Sequence, residues 1–477
     1  MYHITIGLEI HIKLKSATKL FCQCANVQDF DILEPNTHIC PTCTWQPGAL
    51  PVLSESALEK ALLLWKALWC RTQDVSSFDR KSYFYPDLPM GYQITQFYNA
   101  TCVDGNMQFF SEDYEKEHTI SIEQAHMETD TAKMIHDGGQ ALLDFNRAGT
   151  PLVEVVTWPD FSDAEQVVVF LKELQRIVRY NGISDADMDK GQMRVDVNIS
   201  LRSSLDAPLW TRAEIKNMNS FSAIKRAIEY EYSRQSALYD DWEQFGQETR
   251  WRNDEKGESY SMRSKEAALD YRYVPEPDLP PLHVGSYKDN VDKKSVLLPF
   301  VVSKKLKEEY GFHKEYINFL LQDPAHISYF EALVKQWYDP ALVVKWLAGP
   351  VAAYMTASYV SLEELPFDIS VFALFLDSIA NYSLRDNQAK KVLDVLFERP
   401  QPAEQVISEL WFDAPALDDW ALQKIAQTII DQNPSVVQQY KEWKTSTIGF
   451  FVWQMMQQTQ WKADPNQAKA LFVTMLS

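Results

Sequence analysis

The chain opens on strict alternation. Ile4, Ile6, Leu8, Ile10, Ile12 and Leu14 fall on one side, and His3, Thr5, Glu9, His11 and Lys13 on the other. That period of two predicts a half-buried strand. Helical periodicity follows. Ser54 can cap a helix to Trp69 whose Ala57, Leu58, Ala61, Leu62 and Trp65 share a face. A second helix is predicted over Ser162–Tyr180, with Ser162 as cap, Glu165 three residues on, and Val168, Leu171, Leu174, Ile177 and Val178 repeating helically. Arg194–Ser200 alternates again and predicts a strand; Ser220–Gln235 predicts a third helix. Pro275, Pro277, Pro280 and Pro281 then stiffen the chain. Beyond them strand signals nearly vanish. Ser303–Tyr310, Lys314–Leu320, Tyr329–Trp337, Ala341–Thr356, Val371–Ala380, Gln388–Phe397 and Ala421–Ile430 all favour helix, with a second break at Pro400–Pro402. The pattern predicts an α+β front followed by all-helical segments, with no internal repeat.

Composition narrows the function classes. At roughly 100–200 residues per domain, 477 residues predict two to four domains. Six cysteines are too sparse for a disulfide framework, and Cys70 and Cys102 read as isolated buried thiols. The formal charge of −20 disfavours broad gripping of DNA or of an anionic membrane. Residues 1–290 hold 29 basic and 44 acidic side chains, and residues 291–477 hold 17 and 22. The front therefore carries most of the negative charge and is the expected seat of cation chemistry. The N-terminus has no apolar run of signal-peptide length, and no stretch reaches membrane-span length, so a cytoplasmic location is expected.

Cys22-x-Cys24 and Cys40-x-x-Cys43 are the sharpest local signal. Two close thiolate pairs can meet tetrahedrally around Zn²⁺, leaving no open position for catalysis. Free thiols and a redox pair are the alternatives. Glu9 and His11 lie two apart on a strand and share a face, which suits a divalent ion or a plain solvated surface. His126, Glu128 and Asp130 share a face if extended, and Lys133 can meet a phosphate as a point charge. Glu154 is embedded in Leu152-Val-Glu-Val-Val156; buried there, it needs an ion or a cationic side chain. Arg194, Asp196, Asn198 and Ser200 alternate on one strand face, as do Arg212, Glu214 and Lys216. Such oxygen-rich rows suit Mg²⁺, which usually arrives with phosphates. No Walker loop and no Gly-x-Gly-x-x-Gly is present.

Several long segments together carry a resemblance. They include Ile6-Gly-Leu-Glu-Ile-His-Ile-Lys-Leu14, Asp79-Arg-Lys-Ser-Tyr-Phe-Tyr-Pro-Asp-Leu-Pro89 and Asp144-Phe-Asn-Arg-Ala-Gly-Thr-Pro-Leu-Val-Glu154. Lys216-Asn-Met-Asn-Ser-Phe221 and Asp270-Tyr-Arg-Tyr-Val-Pro-Glu-Pro-Asp-Leu-Pro280 continue it in order. With these the chain is identified as a member of the family of aspartyl/glutamyl-tRNA amidotransferase B subunits. The resemblance implies a cradle domain over 1–290, built on antiparallel sheet and carrying a four-cysteine zinc loop at 22–43. It implies a helical domain over 291–402 and a tRNA-contacting helical tail over 403–477, where Lys441, Lys444, Lys462 and Lys469 are candidates. The implied reaction phosphorylates the side-chain carboxylate of Glu-tRNA(Gln) or Asp-tRNA(Asn) with ATP and Mg²⁺. Ammonia from glutamine then amidates it. The implied assembly is a heterotrimer with an amidase, the A subunit, and a small C subunit. By position, Glu9, His11 and Glu154 would hold Mg²⁺, with Glu128 close by. Asp196 and Glu214 would serve as second ligands or nucleotide-site carboxylates, and Lys81 and Lys133 as phosphate or substrate contacts.

The chain departs from the family pattern where Thr129 replaces a second glutamate, Ala132 a glycine and Met90 a lysine. Trp158, Trp453 and Trp461 are further departures. Thr129 and Met90 together admit an alternative, a scaffold that docks the amidase and carries tRNA without kinase chemistry. A zinc-containing nucleic-acid-binding protein without catalysis is the remaining alternative, supported by the cysteines alone.

Overall fold

In the computed structural model every residue is described except 1, 31, 219, 244, 254–257, 265–270, 383, 400, 411–418, 442–446, 460–462, 464 and 477. Lys444, Lys462, Trp461, Asn219 and Asp270 therefore lie outside the described residues. The chain forms two compact units, residues 1–317 and 318–477.

The first unit is organised by one nine-stranded sheet. Its strands are β1 (His3–Lys13), β2 (Arg71–Thr72), β3 (Cys102–Phe110), β4 (Glu117–Thr129) and β5 (Pro151–Thr157), then β6 (Met193–Arg202), β7 (Ala213–Met218), β8 (Glu248–Asn253) and β9 (Glu258–Ser264). The order across the sheet is β9-β8-β7-β6-β1-β5-β4-β3-β2. The neighbours are antiparallel, as expected, except β7 and β8, which run parallel. β1 thus lies at the centre, flanked by strands that come 140 and more residues later.

The alternation of β1 places its two sets of side chains as expected. Ile6, Leu8, Ile10 and Ile12 are at most 1% exposed. They join one apolar cluster with three helices: α1 (Glu55–Ala67), through Leu58, Leu62 and Trp65; α2 (Ala164–Tyr180), through Leu171 and Leu174; and α3 (Phe221–Asp240), through Ile224 and Ile228. Each such side chain stabilises the fold by about 1.5–3 kcal/mol relative to exposure. Ser54 caps α1 and Ser220 caps α3, their side chains accepting from Ala57 N and Ala223 N. α2 differs by one residue. Asp163, not Ser162, is the cap, accepting from Gln166 N at 2.7 Å. A carboxylate at a helix N-terminus meets both unpaired N–H groups and the positive end of the dipole.

A small three-stranded sheet (Val274–Pro275, Asp79–Ser82, Tyr92–Thr95) joins the main one at β4. Gln93 Nε2 donates to Thr129 O at 2.8 Å, and Met127 N donates to Gln96 Oε1 at 3.0 Å. Cys70 and Cys102 are not isolated. They form a disulfide with Cα atoms 5.8 Å apart, because Arg71–Thr72 pairs with Cys102–Val103. A separate hairpin, Lys133–Asp137 with Gln140–Asp144, turns on Gly138 and Gly139, both in the left-handed region that favours glycine.

The second unit is helical throughout its described residues. The segment expected to be helical over Ala341–Thr356 is helical, but its hydrogen-bonding pattern changes midway. Pro340–Trp346 gives way to a π-helical turn, Leu347–Val351, before Ala352–Ser358. Pro350 sits inside that turn and has no N–H to donate, so the regular ladder cannot pass through it. Phe451, Met455 and Phe472 anchor a separate core in the tail. Among the described residues no helix is long and apolar enough to cross a membrane.

Candidate active site and thiol centre

The polar face of the main sheet is assembled by register. β1 sets His11 beside Glu154 of β5 on one side and Arg194 of β6 on the other. Glu154 in turn faces His126 of β4, and Glu9 faces Asp196. Because alternate residues share a face, Glu9, His11, His126, Glu128, Glu154, Asp196, Glu214 and Lys216 converge there.

Two ligand trios result, His11–Glu128–Glu154 and Glu9–Asp196–Glu214. Within each, one ligand atom per residue lies within 4.8 Å of the others. In the first trio His11 Nε2 is 3.2 Å from Glu128 Oε1 and 3.6 Å from Glu154 Oε2, and His126 Nε2 is 3.2 Å from Glu154 Oε2. Burial works against the His11 cation, but the Glu154 and Glu128 carboxylates outweigh it and push the imidazole up to about 9. Burial likewise opposes ionisation of Glu154; His11, His126 and Lys81 nonetheless hold its carboxyl well below the usual range. The second oxygen of Glu128 is buried without a hydrogen-bond partner, as is His126 Nδ1. A buried carboxylate oxygen without a partner, on a side chain that also meets an imidazole, leaves room for a cation or a water to satisfy it. The donor set fits a hard or borderline divalent ion.

In the second trio the Lys216 ammonium pairs with Asp196 and lies 2.9 Å from Glu214. Thr249 Oγ1 donates to Glu214 at 2.8 Å, and Asn198 Nδ2 donates to Glu9 at 3.0 Å. Burial first, then Glu154, raises the Glu9 carboxyl above its ordinary value, and the Asn198 bond only partly offsets this. Lys81, on the small sheet, interacts with Glu128 and Glu154; their charges hold its ammonium on against burial. Asp130, just past the end of β4, is pinned by Arg194 at 3.1 Å and Arg147 at 3.7 Å.

The expected ion set Glu9, His11 and Glu154 is thus divided between two neighbouring trios, with Glu128 completing the first. Asp196 and Glu214 fall with Glu9. Lys133 sits on the separate hairpin, opposite Asp144, rather than on the sheet face. Thr129 points the other way. Alternation places it opposite Glu128, where it lines a small cavity with Cys22, Cys43 and Trp45, its hydroxyl 3.5 Å from Ile94 O. Ala132 avoids the left-handed backbone that would favour glycine, and Met90 packs partly buried against the core.

On that other side the four sulfurs of Cys22, Cys24, Cys40 and Cys43 also lie within 4.8 Å of one another. Cys40 N donates to Cys43 Sγ at 3.2 Å. Lys19, fully buried, places its ammonium 3.6 Å from Cys43 Sγ and donates to His38 O at 3.0 Å. Hydrogen bonding with Cys22 and the Lys19 charge bring the Cys43 thiol down to about 5. Burial pushes Cys24 up to about 11. Four converging sulfurs with a buried cation fit a tetrahedral thiolate centre that could bind zinc. Lys19 escaped sequence reasoning; its one signal was a charge set three residues before the first cysteine, beside Leu20 and Phe21.

Known proteins match this organisation. Residues 4–288 match the model of the GatB/GatE catalytic domain and residues 328–476 that of the GatB domain. The chain is 37% identical to the B subunit of the aspartyl/glutamyl-tRNA(Asn/Gln) amidotransferase of Crocosphaera subtropica, over 100% of this chain and 98% of the relative. It is 38% identical to that of Ruminiclostridium cellulolyticum (97% and 95% covered) and 37% identical to that of Symbiobacterium thermophilum (98% and 97%). A catalytic domain carrying an acidic, cation-ready sheet face is thus followed by a helical unit of the same lineage. The chain belongs to the GatB/GatE family.

Proposed function

We propose that this chain is the B subunit of a cytoplasmic, glutamine-dependent tRNA amidotransferase, working in a heterotrimer with an amidase, the A subunit, and a small C subunit. The observation that carries the reading is the pair of carboxylate-rich trios on one sheet face, the first of them within the field of Lys81. The substrate is Glu-tRNA(Gln) or Asp-tRNA(Asn). A carboxylate is a poor electrophile because its leaving group would be an oxide. ATP phosphorylates it, the bond from the γ-phosphorus to the leaving β–γ bridging oxygen breaks, and ADP departs. Ammonia then attacks the carbonyl carbon and expels phosphate.

Mg²⁺, when bound, cancels charge on the phosphoryl oxygens. His11, Glu128 and Glu154 would hold it, and Glu9, Asp196 and Glu214 would hold a second ion or face the nucleotide. His126 orients Glu154 through its Nε2 contact. Asn198 orients Glu9. Lys81 brings its ammonium to the phosphates. We assign this chemistry to residues 1–290 and tRNA contact to the tail, where Lys441 and Lys469 are the described candidates. Structural zinc is proposed for the four cysteines. Since Thr129 faces the sulfur cavity, its replacement of a glutamate removes no ligand from the oxygen face. That weakens the case for a silent scaffold.

The test is Mg²⁺-dependent ATP hydrolysis by the reconstituted heterotrimer with each charged tRNA, comparing wild type with Glu9→Ala. Hydrolysis triggered by one charged tRNA and lost in the variant is expected. A heterotrimer that binds tRNA yet hydrolyses nothing above background would overturn the reading.

A further inference from the structure

Beside the acidic face lies a cluster of exposed aromatic rings with no role in the chemistry above. Phe97 is 50% exposed and Tyr98 59%. Phe97 lies flat on Tyr273, with centroids 3.9 Å apart and planes within 6°. Tyr98 meets Phe97 edge-on and donates its hydroxyl to Tyr273 O at 3.2 Å. The arrangement is fixed from beneath. The buried Asp79 carboxylate accepts from both Phe97 N (2.8 Å) and Tyr98 N (3.0 Å). Arg80, next in the chain, forks onto Glu276 with two bonds of 2.8 Å, tying the strand to the segment after Tyr273. The Gln93 and Gln96 bonds to β4 hold the whole ledge to the strand that carries Glu128.

The ledge leads to the reacting centre without a break. Tyr273 contacts Tyr271 edge-on, and the Lys81 ammonium lies over the Tyr271 ring at 5.0 Å. Lys81 in turn interacts with Glu128 and Glu154. Rigid, open aromatic faces beside a cation are what an unpaired nucleobase stacks on, without regard to hydrogen-bonding edges.

We propose that the Phe97–Tyr273 stack is the platform for the terminal adenine of the charged tRNA. This rests on the amidotransferase reading. In an aminoacyl-tRNA one ribose and one amino acid separate that base from the carboxylate to be activated. The polymer must also enter from solvent, so its last base meets the exposed rim. The adenine of ATP is separated from its reacting phosphorus by a ribose and two intervening phosphates, and does not have to cross the rim as a continuing chain.

The test uses the whole heterotrimer and charged tRNA with 2-aminopurine at its 3′-terminal position, whose fluorescence is quenched on stacking. Quenching is expected with wild type and with Phe97→Tyr, and its loss with Phe97→Leu. Alongside it, the KM for tRNA should rise about tenfold while the KM for ATP stays unchanged. An unaltered unfolding midpoint shows that the variant folds. Quenching retained in Phe97→Leu overturns the proposal. So does a rise in the ATP KM in place of the tRNA KM, which would assign the ledge to the nucleotide. Loss of the amidase from the Phe97→Leu heterotrimer on size exclusion also overturns it, since the patch would then be a protein dock. A wild-type heterotrimer without tRNA-triggered ATP hydrolysis would instead break the underlying reading, while the fluorescence would still report stacking.

Discussion

The two faces of the main sheet near residues 128 and 129 hold opposite solutions to the same problem. On one side oxygen and nitrogen groups that could ligate an ion come from five strands, and strand register brings them together. Their charges are balanced by neighbours, and an orphaned Glu128 oxygen remains. On the other side four sulfurs come from one loop segment, and short local turns bring them together. The first arrangement leaves open positions and is suited to exchanging ligands. The second is closed and suited to holding one ion for the life of the fold. Glu128 and Thr129, adjacent in sequence, divide the two.

Breaking the oxygen face should cost most. Glu154→Ala removes a proposed ligand, leaves His126 without its carboxylate and leaves His11 with Glu128 alone. We expect divalent-ion affinity and tRNA-triggered ATP hydrolysis to fall by about 100-fold or more. Calorimetric Mn²⁺ titration and a phosphate-release assay measure this. Activity within tenfold of wild type would place the reacting centre elsewhere. The sulfur side should respond differently. Cys22→Ser should abolish zinc measured by plasma mass spectrometry and lower the unfolding midpoint by about 5 °C or more. Turnover per folded molecule should stay within about twofold; a larger loss would mean that the thiol centre takes part in the chemistry.

The pH response sharpens the contrast. With His11 raised to about 9, its imidazole carries a proton at neutrality in the metal-free protein, and an ion must displace that proton. Affinity at the oxygen face should therefore rise up to about tenfold per pH unit and level off near pH 9. His11→Gln should flatten the profile in Mn²⁺ titrations. In the metal-free protein the sign is reversed. The His11 pairings stabilise the fold fully below the ordinary imidazole value, and that contribution is lost as pH rises through about 9. Chemical denaturation across this window checks it. The smallest effect is expected at the dividing residue. Thr129→Val should change turnover by less than about twofold and stability by about 1 kcal/mol or less. A larger loss of turnover would mean that Thr129 reaches the oxygen face after all.

Much of this was legible in the sequence because it depends on neighbours. The two sides of β1, the Ser54 cap and the cysteine pairs all follow from spacing within a few residues. Even the placement of Thr129 was readable, since a strand that puts His126 and Glu128 on one face must turn Thr129 to the other. What sequence could not supply was register between distant strands. Nothing local says that His11 meets Glu154 while Glu9 meets Asp196, and the expected ion set accordingly mixed members of two trios. The Cys70–Cys102 pair and the Phe97–Tyr273 stack were hidden for the same reason. They join segments 32 and 176 residues apart.

The central position of β1 also has a consequence in time. β1 is made before the other strands of its sheet, and its neighbours in the sheet are β5 and β6, which end at Thr157 and Arg202. At about 5–20 residues per second, its row of isoleucines waits on the order of ten seconds or more for both partners. During that interval an apolar strand of the future sheet is without its partners and open to chaperones and to other nascent chains.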